Sequence, residues 1–270
     1  MTTDLDHLAI GTAALTDGWE LFGGLLGGTW AYGGDSPGYW WGQLEFATGP
    51  RIELLTPTGG PDAAFLERFL ARQGAGPHHF NFLVDDIGEA LARTRTFGIE
   101  PVGVSLDNPR WKEAFLHPRQ AHGIVIQLAQ QEGSPVSPPP AELPPPGPPA
   151  AFDLIEYHVG DLDGAVRLFR DVLEGQHSLD GQPVPARTDT ARTESASTGT
   201  AELTWPGGKR IRLVHEDGLP LGGALHHVSF TRTAGEFSAQ DRERAGLLAK
   251  RLGVGLELGG YGPSAAGPRR

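Results

Sequence analysis

The sequence contains no cysteine, which excludes disulfide bonds and thiolate metal ligands. Positive charge is also scarce: 22 lysines and arginines stand against 33 aspartates and glutamates, a formal net charge of -11. Nucleic acids and anionic membrane surfaces repel such a chain, so we expect neither as a partner. No apolar run approaches the ~20 residues of a membrane-spanning helix, and residues 1–4 lack the features of a signal peptide. We therefore expect a soluble, cytoplasmic protein.

The sequence does contain a repeated unit. Residues 1–130 show the same succession twice, namely a strand, a helix and then three strands. The first strands of the two units carry His7 and His79, each on the less apolar face, because side chains alternate between the two faces of a strand. The last strands carry Glu53 and Gln127. Repetition of a whole unit is stronger evidence than a short motif.

A proline-rich segment follows this repeat. Nine prolines fall within residues 135–149, and such a run forms a semi-rigid polyproline-type spacer rather than helix or sheet. We therefore predict a first domain at 1–130, a linker at 131–150 and a second domain at 151–270. Within the second domain, the polar residues 183–198 predict a long loop.

The second domain is a degenerate and partly truncated copy of the first. Three of its stretches match earlier ones: 152–173 matches 5–26, 210–214 matches 51–55, and 225–230 matches 77–82. Leu154 stands where His7 stands, and Arg212 stands where Glu53 stands. Only His227 keeps its residue type, and the strand that would carry the last polar residue is missing. We therefore predict no metal site in this domain.

The order and spacing of these motifs resemble the vicinal oxygen chelate superfamily, which includes glyoxalase I, methylmalonyl-CoA epimerase, bleomycin-resistance proteins and ring-cleaving dioxygenases. Residues 1–130 look most like methylmalonyl-CoA epimerase, through the stretches 5–10, 51–57, 76–80, 84–87, 115–119 and 123–128. The resemblance implies an α+β fold in which paired βαβββ modules form a cupped mixed sheet. It covers the first half of the chain well and the second half weakly.

The resemblance also implies one divalent metal ion in the first domain, bound inside the cup by His7, Glu53, His79 and Gln127. Two imidazoles and a carboxylate suit nickel, cobalt, zinc, manganese or iron, and an amide oxygen can complete the set. Such a metal would bind substrate oxygens and stabilise an enolate as a Lewis acid. The leading hypothesis is therefore an isomerase, epimerase or lyase that acts on a small carbonyl acid or an acyl thioester.

The last ligand position departs from the superfamily, whose members usually have glutamate where this chain has Gln127. An amide can bind a metal but cannot accept a proton at neutral pH, which argues against two-base epimerisation. The remaining candidates for a catalytic base are Glu53, and Glu45 if its strand turns that side chain into the cup. His117 and Arg119 are candidates for substrate binding. The alternatives are that His117 is a structural residue of a turn and that Arg119 is a solvated surface charge. With one carboxylate fewer, the metal keeps more positive charge and favours an anionic small-molecule substrate.

Two other function classes stay open. His7, Glu53 and His79 also form the two-histidine, one-carboxylate pattern of non-haem iron dioxygenases, although ring-cleaving dioxygenases have their intact site in the second half of the chain. The third class is a non-catalytic drug-binding protein of the same superfamily, although such proteins have generally lost the metal ligands. A homodimer also stays open.

Overall fold

The structure is a computed structural model that describes residues 2–133, 136–179, 182–183 and 199–259. Its architecture is α+β, with two multi-stranded sheets and few helices, which confirms the predicted fold class. The predicted loop at 183–198 lies outside the described residues except for its first residue.

The first half of the chain forms one sheet. Its strands are β1 (Thr3–Gly11), β2 (Thr29–Ser36), β3 (Tyr39–Glu45), β4 (Arg51–Pro57), β5 (Gly76–Val84), β6 (Val102–Ser105), β7 (Trp111–Leu116) and β8 (Val125–Gln131). They are arranged in the order β2-β3-β4-β1-β5-β8-β7-β6. The first strands of the two units, β1 and β5, pair antiparallel at the centre, and each pairs in parallel with the last strand of its own unit. This is the predicted pair of βαβββ modules.

The second half repeats the scheme in shortened form. Its strands are β9 (Ala150–Val159), β10 (Gln176–Leu179), β11 (Gln182–Pro183), β12 (Thr200–Trp205), β13 (Lys209–His215), β14 (Gly223–Arg232) and β15 (Leu256–Gly259). Their order is β11-β10-β12-β13-β9-β14-β15. Again β9 pairs in parallel with β13 and antiparallel with β14. In the described part of the chain, the last unit ends after a single further strand, β15.

In the described part of the chain, five α-helices accompany the sheets. They are α1 (Leu15–Gly18), α2 (Ala64–Gln73), α3 (Ile87–Thr96), α4 (Leu162–Arg167) and α5 (Ala239–Arg251), and α1 and α4 continue as π-helical segments (Trp19–Leu25 and Leu168–Val172). The π-helical segment after α1 contains glycines, and the burial of Trp19 and Phe22 stabilises it. Asp86 caps α3 by accepting a 3.0 Å hydrogen bond from the Glu89 amide. No helix in the described ranges is long and apolar enough to span a membrane.

One hydrophobic core contains residues of both halves. Across the contact, the ring of Phe80 lies 5.5 Å from that of Tyr157, and the ring of Phe82 lies 5.4 Å from that of Trp205. The division of the chain into two domains stays a prediction. The halves nevertheless stabilise each other, because each buries aromatic surface of the other.

The proline-rich segment lies against the first half. Its described residues, 136–149, contain neither helix nor strand, as its composition predicts. The carbonyl of Ser137 accepts a 2.8 Å hydrogen bond from Trp30 Nε1, and its hydroxyl accepts one of 2.8 Å from the Gly33 amide. Leu143 packs against the core. Contacts with the first half thus hold this segment in place.

Candidate metal centre

A cavity of about 780 Å³ opens on the cup face, which we define as the face of the first sheet that carries His7, Glu53 and His79. Both modules contribute to its walls. The polar lining includes His7, Glu53, His79, Arg110, Glu113 and Gln127, and Tyr32, Tyr39, Trp41 and Trp111 supply aromatic surface. The cavity therefore combines apolar walls with a few convergent polar groups, as small-molecule sites do.

Three buried side chains converge at the inner wall of the cavity. His7 projects from β1, Glu53 from β4 and His79 from β5. Glu53 Oε1 lies 3.6 Å from His7 Nε2 and 3.9 Å from His79 Nε2. The three ligand atoms all lie within 4.8 Å of one another. The structure thus brings together three of the four side chains implied as metal ligands.

The chemistry of this cluster fits a divalent metal ion. The Nε2 atoms of His7 and His79 are buried and have no hydrogen-bond partner within the part of the chain that is described. Burial, together with His78 and His7, holds the pKa of His79 well below its usual range, so the ring is neutral and offers a lone pair. Burial also raises the pKa of Glu53, although His7 and Gln43 oppose this. A cation would stabilise the carboxylate and satisfy both nitrogens.

Asp6 orients His7. Its Oδ2 lies 2.7 Å from His7 Nδ1, and Arg51 bonds its other oxygen. Burial alone would raise the pKa of Asp6, but the hydrogen bond with His7 and the charge of Arg51 lower it to about 2. The ionised carboxylate therefore accepts from Nδ1 and leaves Nε2 facing Glu53. Neighbouring strand residues normally face opposite sides, but a register shift between Leu5 and His7 breaks the alternation, which is why sequence reasoning missed Asp6.

Gln43 orients Glu53. Its Nε2 donates a 2.9 Å hydrogen bond to Glu53 Oε2, so that the other oxygen faces the two imidazoles. Sequence reasoning also missed this role. Alternation along β3 placed Gln43 on the same face as Trp41, and the register pairs it directly with Glu53.

Gln127 is buried at the cavity wall beside this cluster. Its Oε1 accepts a 2.7 Å hydrogen bond from Asn81, and its Nε2 donates one of 2.7 Å to Glu113 Oε2. Trp111 Nε1 donates to the same oxygen of Glu113 at 2.8 Å. The role of Gln127 as a fourth ligand stays a prediction. Glu113 itself had no sequence signal, because it becomes part of the site only through the pairing of β7 with β8.

Three predicted residues do not reach the cavity. Glu45 is exposed where β3 ends, so the condition that its strand turns it into the cup is not met. His117 and Arg119 are exposed in the turn that follows β7, where the Arg119 amide donates to His117 Nδ1 at 3.2 Å. Neither lines the cavity, and both lie after the last residue of β7. Among the described residues, Arg110 is the arginine that lines the cavity.

A sheet of two βαβββ modules with a buried cluster of two histidines and one glutamate defines a glyoxalase-like protein with a candidate metal centre. Residues 6–115 match the family model of the Glyoxalase/Bleomycin resistance protein/Dioxygenase superfamily. This match covers less than half of the chain, and it agrees with the resemblance found in the sequence. None of the curated proteins matches the chain.

Several solved structures are similar to this chain. A variant of 4-hydroxymandelate synthase from Streptomyces coelicolor is 12% identical, with a TM-score of 0.55 over 92% of this chain and 75% of that chain. A hypothetical protein from Bacillus halodurans C-125 is 25% identical, with a TM-score of 0.44 over 51% of this chain and 100% of its own. Methylmalonyl-CoA epimerase from Mycobacterium tuberculosis is 23% identical, with a TM-score of 0.43 over 48% and 89%. The first of these shows that the fold extends over both halves.

Proposed function

We propose that this protein is a metal-dependent isomerase or lyase that acts on a small carbonyl acid or an acyl thioester through an enolate. The convergence of His7, Glu53 and His79, with two unsatisfied buried nitrogens, carries the proposal. These atoms face a cavity of about 780 Å³, which is within the range of small-molecule sites.

His7, Glu53 and His79 would hold the ion, with Gln127 as the predicted fourth ligand. Nickel, cobalt, zinc, manganese and iron all suit such a set. When bound, the ion supplies Lewis acidity that stabilises negative charge developing on a substrate oxygen. Asp6 keeps His7 in the required tautomer.

Glu113 is our candidate for the catalytic base. Within the described ranges, both side-chain hydrogen bonds of Glu113 end on Oε2, which leaves Oε1 for a ligand in the cavity. It would take a proton from the carbon next to a substrate carbonyl. An isomerase returns this proton to another atom, and in a lyase the electron pair left on the carbon expels a leaving group. Two-base epimerisation is disfavoured, because Gln43 and Gln127 cannot accept a proton.

The cavity also offers groups for an anionic substrate. Arg110 lines it and keeps its charge at all physiological pH values. Burial raises the pKa of Tyr32 to about 12, with a further contribution from Asp6, so its hydroxyl stays protonated and can donate. Arg110 takes the role that the sequence suggested for Arg119.

One observation favours a second candidate function, a non-haem iron dioxygenase. The amide of Gln127 hydrogen-bonds to Asn81 and Glu113. The side chains that lie closest together are therefore two histidines and one carboxylate. That set is the pattern of iron oxygenases. The third alternative is a drug-binding protein without catalysis. It predicts that the protein binds its ligands equally well with and without metal.

Metal analysis tests the proposal first. We expect the wild type to retain close to one equivalent of a divalent metal in the first site, and His7→Ala and His79→Ala to lose that equivalent while keeping the circular dichroism of the wild type. His117→Ala is the matched control, because this exposed histidine does not line the cavity. A wild type that takes up no ion there from any of the five metals would overturn the enzyme proposal.

The reaction is then tested by proton exchange. With metal bound, we expect solvent deuterium to enter the carbon next to the carbonyl of a carbonyl acid or an acyl thioester, followed by NMR. Glu113→Gln should keep the metal but lose at least about 100-fold of this exchange, the usual contribution of a general base. Metal-dependent oxygen uptake without exchange would instead support the dioxygenase.

A further inference from the structure

The second sheet has lost the ligands of the first site but has gained others. In the first sheet, Ala9 pairs with both the glutamate and the second histidine of the cluster. In the second sheet, Glu156 takes this position and pairs with both Arg212 and His227. The register therefore confirms that Arg212 and His227 occupy the positions of Glu53 and His79. A carboxylate has replaced the small Ala9 between them.

Three imidazoles gather around one oxygen of this carboxylate. Glu156 Oε1 lies 3.0 Å from His158 Nε2, 3.2 Å from His226 Nδ1 and 3.7 Å from His227 Nδ1. Glu156 and His158 share a face of β9 because they are two residues apart. A register shift in β14 between Leu225 and His227 interrupts the alternation, so both histidines approach the same carboxylate.

A further carboxylate orients His158. Glu216 bonds His158 Nδ1, so His158 Nε2 points at Glu156. The same arrangement is found in the first site, where Asp6 orients His7. A metal-binding histidine commonly donates its other ring nitrogen to a carboxylate in this way.

We propose that Glu156, His158 and His226 form a second binding site, for a divalent first-row cation such as zinc. Their ligand atoms lie within 4.8 Å of one another, and two imidazoles with a carboxylate are a ligand set that zinc accepts. Arg212 lies 3.6 Å from the other carboxylate oxygen, Oε2, and does not occupy the side that faces the imidazoles. The sequence predicted no metal site in this half because the ligands equivalent to those of the first site are lost. That prediction did not include the new carboxylate and its neighbouring histidines.

The proposed site is open to solvent on one side. His158 and Glu156 are about one-seventh exposed, at 14% and 15%, whereas His226 is 56% exposed and stacks on His158 with ring centroids 4.3 Å apart. Three protein ligands on an accessible surface leave a coordination position for water. The site is independent of the function proposed for the first sheet.

Zinc binding by the full-length chain tests this proposal. The variant His7→Ala/His79→Ala removes the first cluster, and equilibrium dialysis at pH 8 against zinc, followed by elemental analysis, counts what remains. We expect one equivalent per chain, and at least about a 10-fold weaker affinity after the further change Glu156→Gln or His158→Ala. The control variant His215→Ala, which changes an exposed histidine of β13 outside the cluster, should bind zinc like its parent.

Two results would overturn the proposal. One is that the variant without the first cluster binds no zinc while keeping the circular dichroism of the wild type. The other is that its zinc persists in both Glu156→Gln and His158→Ala. If the parent variant fails to fold, the same two substitutions in the wild type serve instead: each should lower the bound zinc by one equivalent. No change in that count refutes the site.

Discussion

At the scale of single residues, the candidate metal centre depends on neighbours that would never touch the ion. Asp6 hydrogen-bonds to Nδ1 of His7, and Gln43 hydrogen-bonds to one carboxylate oxygen of Glu53. Each leaves one ligand atom facing the same point. Such supporting groups matter because they fix the tautomer and orientation of the ligand before the metal arrives.

Asp6→Asn tests this support directly. We expect the first site to bind its metal about 10–100-fold more weakly, because an asparagine no longer fixes the protonated nitrogen of His7. Titration with cobalt, followed by its visible spectrum, measures the affinity. Asp4→Asn is the matched control, since it removes the same charge from β1 but lies against Lys209 instead. Equal losses in both variants would attribute the effect to net charge alone.

At the scale of elements, a turn joins the two halves. The turn between β7 and β8 lies against the start of β14, and Tyr157 donates a 2.7 Å hydrogen bond to the His122 carbonyl. At Gly123, φ is +95°, and an added Cβ would lie 2.3 Å from the Gly223 carbonyl oxygen. Only glycine allows both this conformation and this close approach.

Gly123→Ala should therefore destabilise the protein. We expect it to lower the free energy of unfolding by more than the ~1–2 kcal/mol that left-handed backbone costs an alanine. Gly98→Ala is the control, because Gly98 has a φ of +75° but open space around its missing Cβ. Urea unfolding of both variants measures the difference. If the two substitutions cost the same, the close contact of the turn with β14 contributes nothing.

At the scale of the whole molecule, the halves share a core and are also joined by ion pairs. Arg244 on α5 donates to both oxygens of Glu20 at 2.7 and 2.8 Å. Because the aromatic contacts across the core are buried, we attribute most of the association to apolar burial. The exposed ion pair adds a smaller, salt-dependent contribution.

The Glu20 pair predicts a pH dependence. Hydrogen bonds from Arg244 hold the pKa of Glu20 below its usual value. A carboxylate with a lowered pKa adds stability above its unfolded pKa and loses it as the pH falls through its folded pKa. We expect Glu20→Gln to be less stable than the wild type at pH 7 and equal to it well below about pH 4. Urea midpoints at several pH values check this.

The matched control is Glu243→Gln, an exposed glutamate of α5 with no ion pair in the described ranges. It should show no such convergence at low pH. A Glu20→Gln variant as stable as the wild type at pH 7 and low salt would show that the pair does not help to join the halves.

The sequence by itself determined the paired modules, the resemblance to the superfamily and the shared strand face of the two histidines and the glutamate. Alternation along a strand is a property of consecutive residues, so His7, Glu53 and His79 could be found in this way. The tertiary structure decided the rest. Gln43 and Glu113 join the site through the pairing of β3 with β4 and of β7 with β8, and local alternation cannot supply that register. Arg110, just before β7, lines the same cavity.

The tertiary structure also decided how the halves relate. A linker of nine prolines suggested separate domains, yet one core contains residues of both halves. The group around Glu156 depends on a register shift in β14, which a sequence pattern of period two does not reveal. Consecutive residues dictate which face a side chain occupies. Strand register and bulges decide which other side chains lie next to it in space, and both depend on the packing of the whole chain.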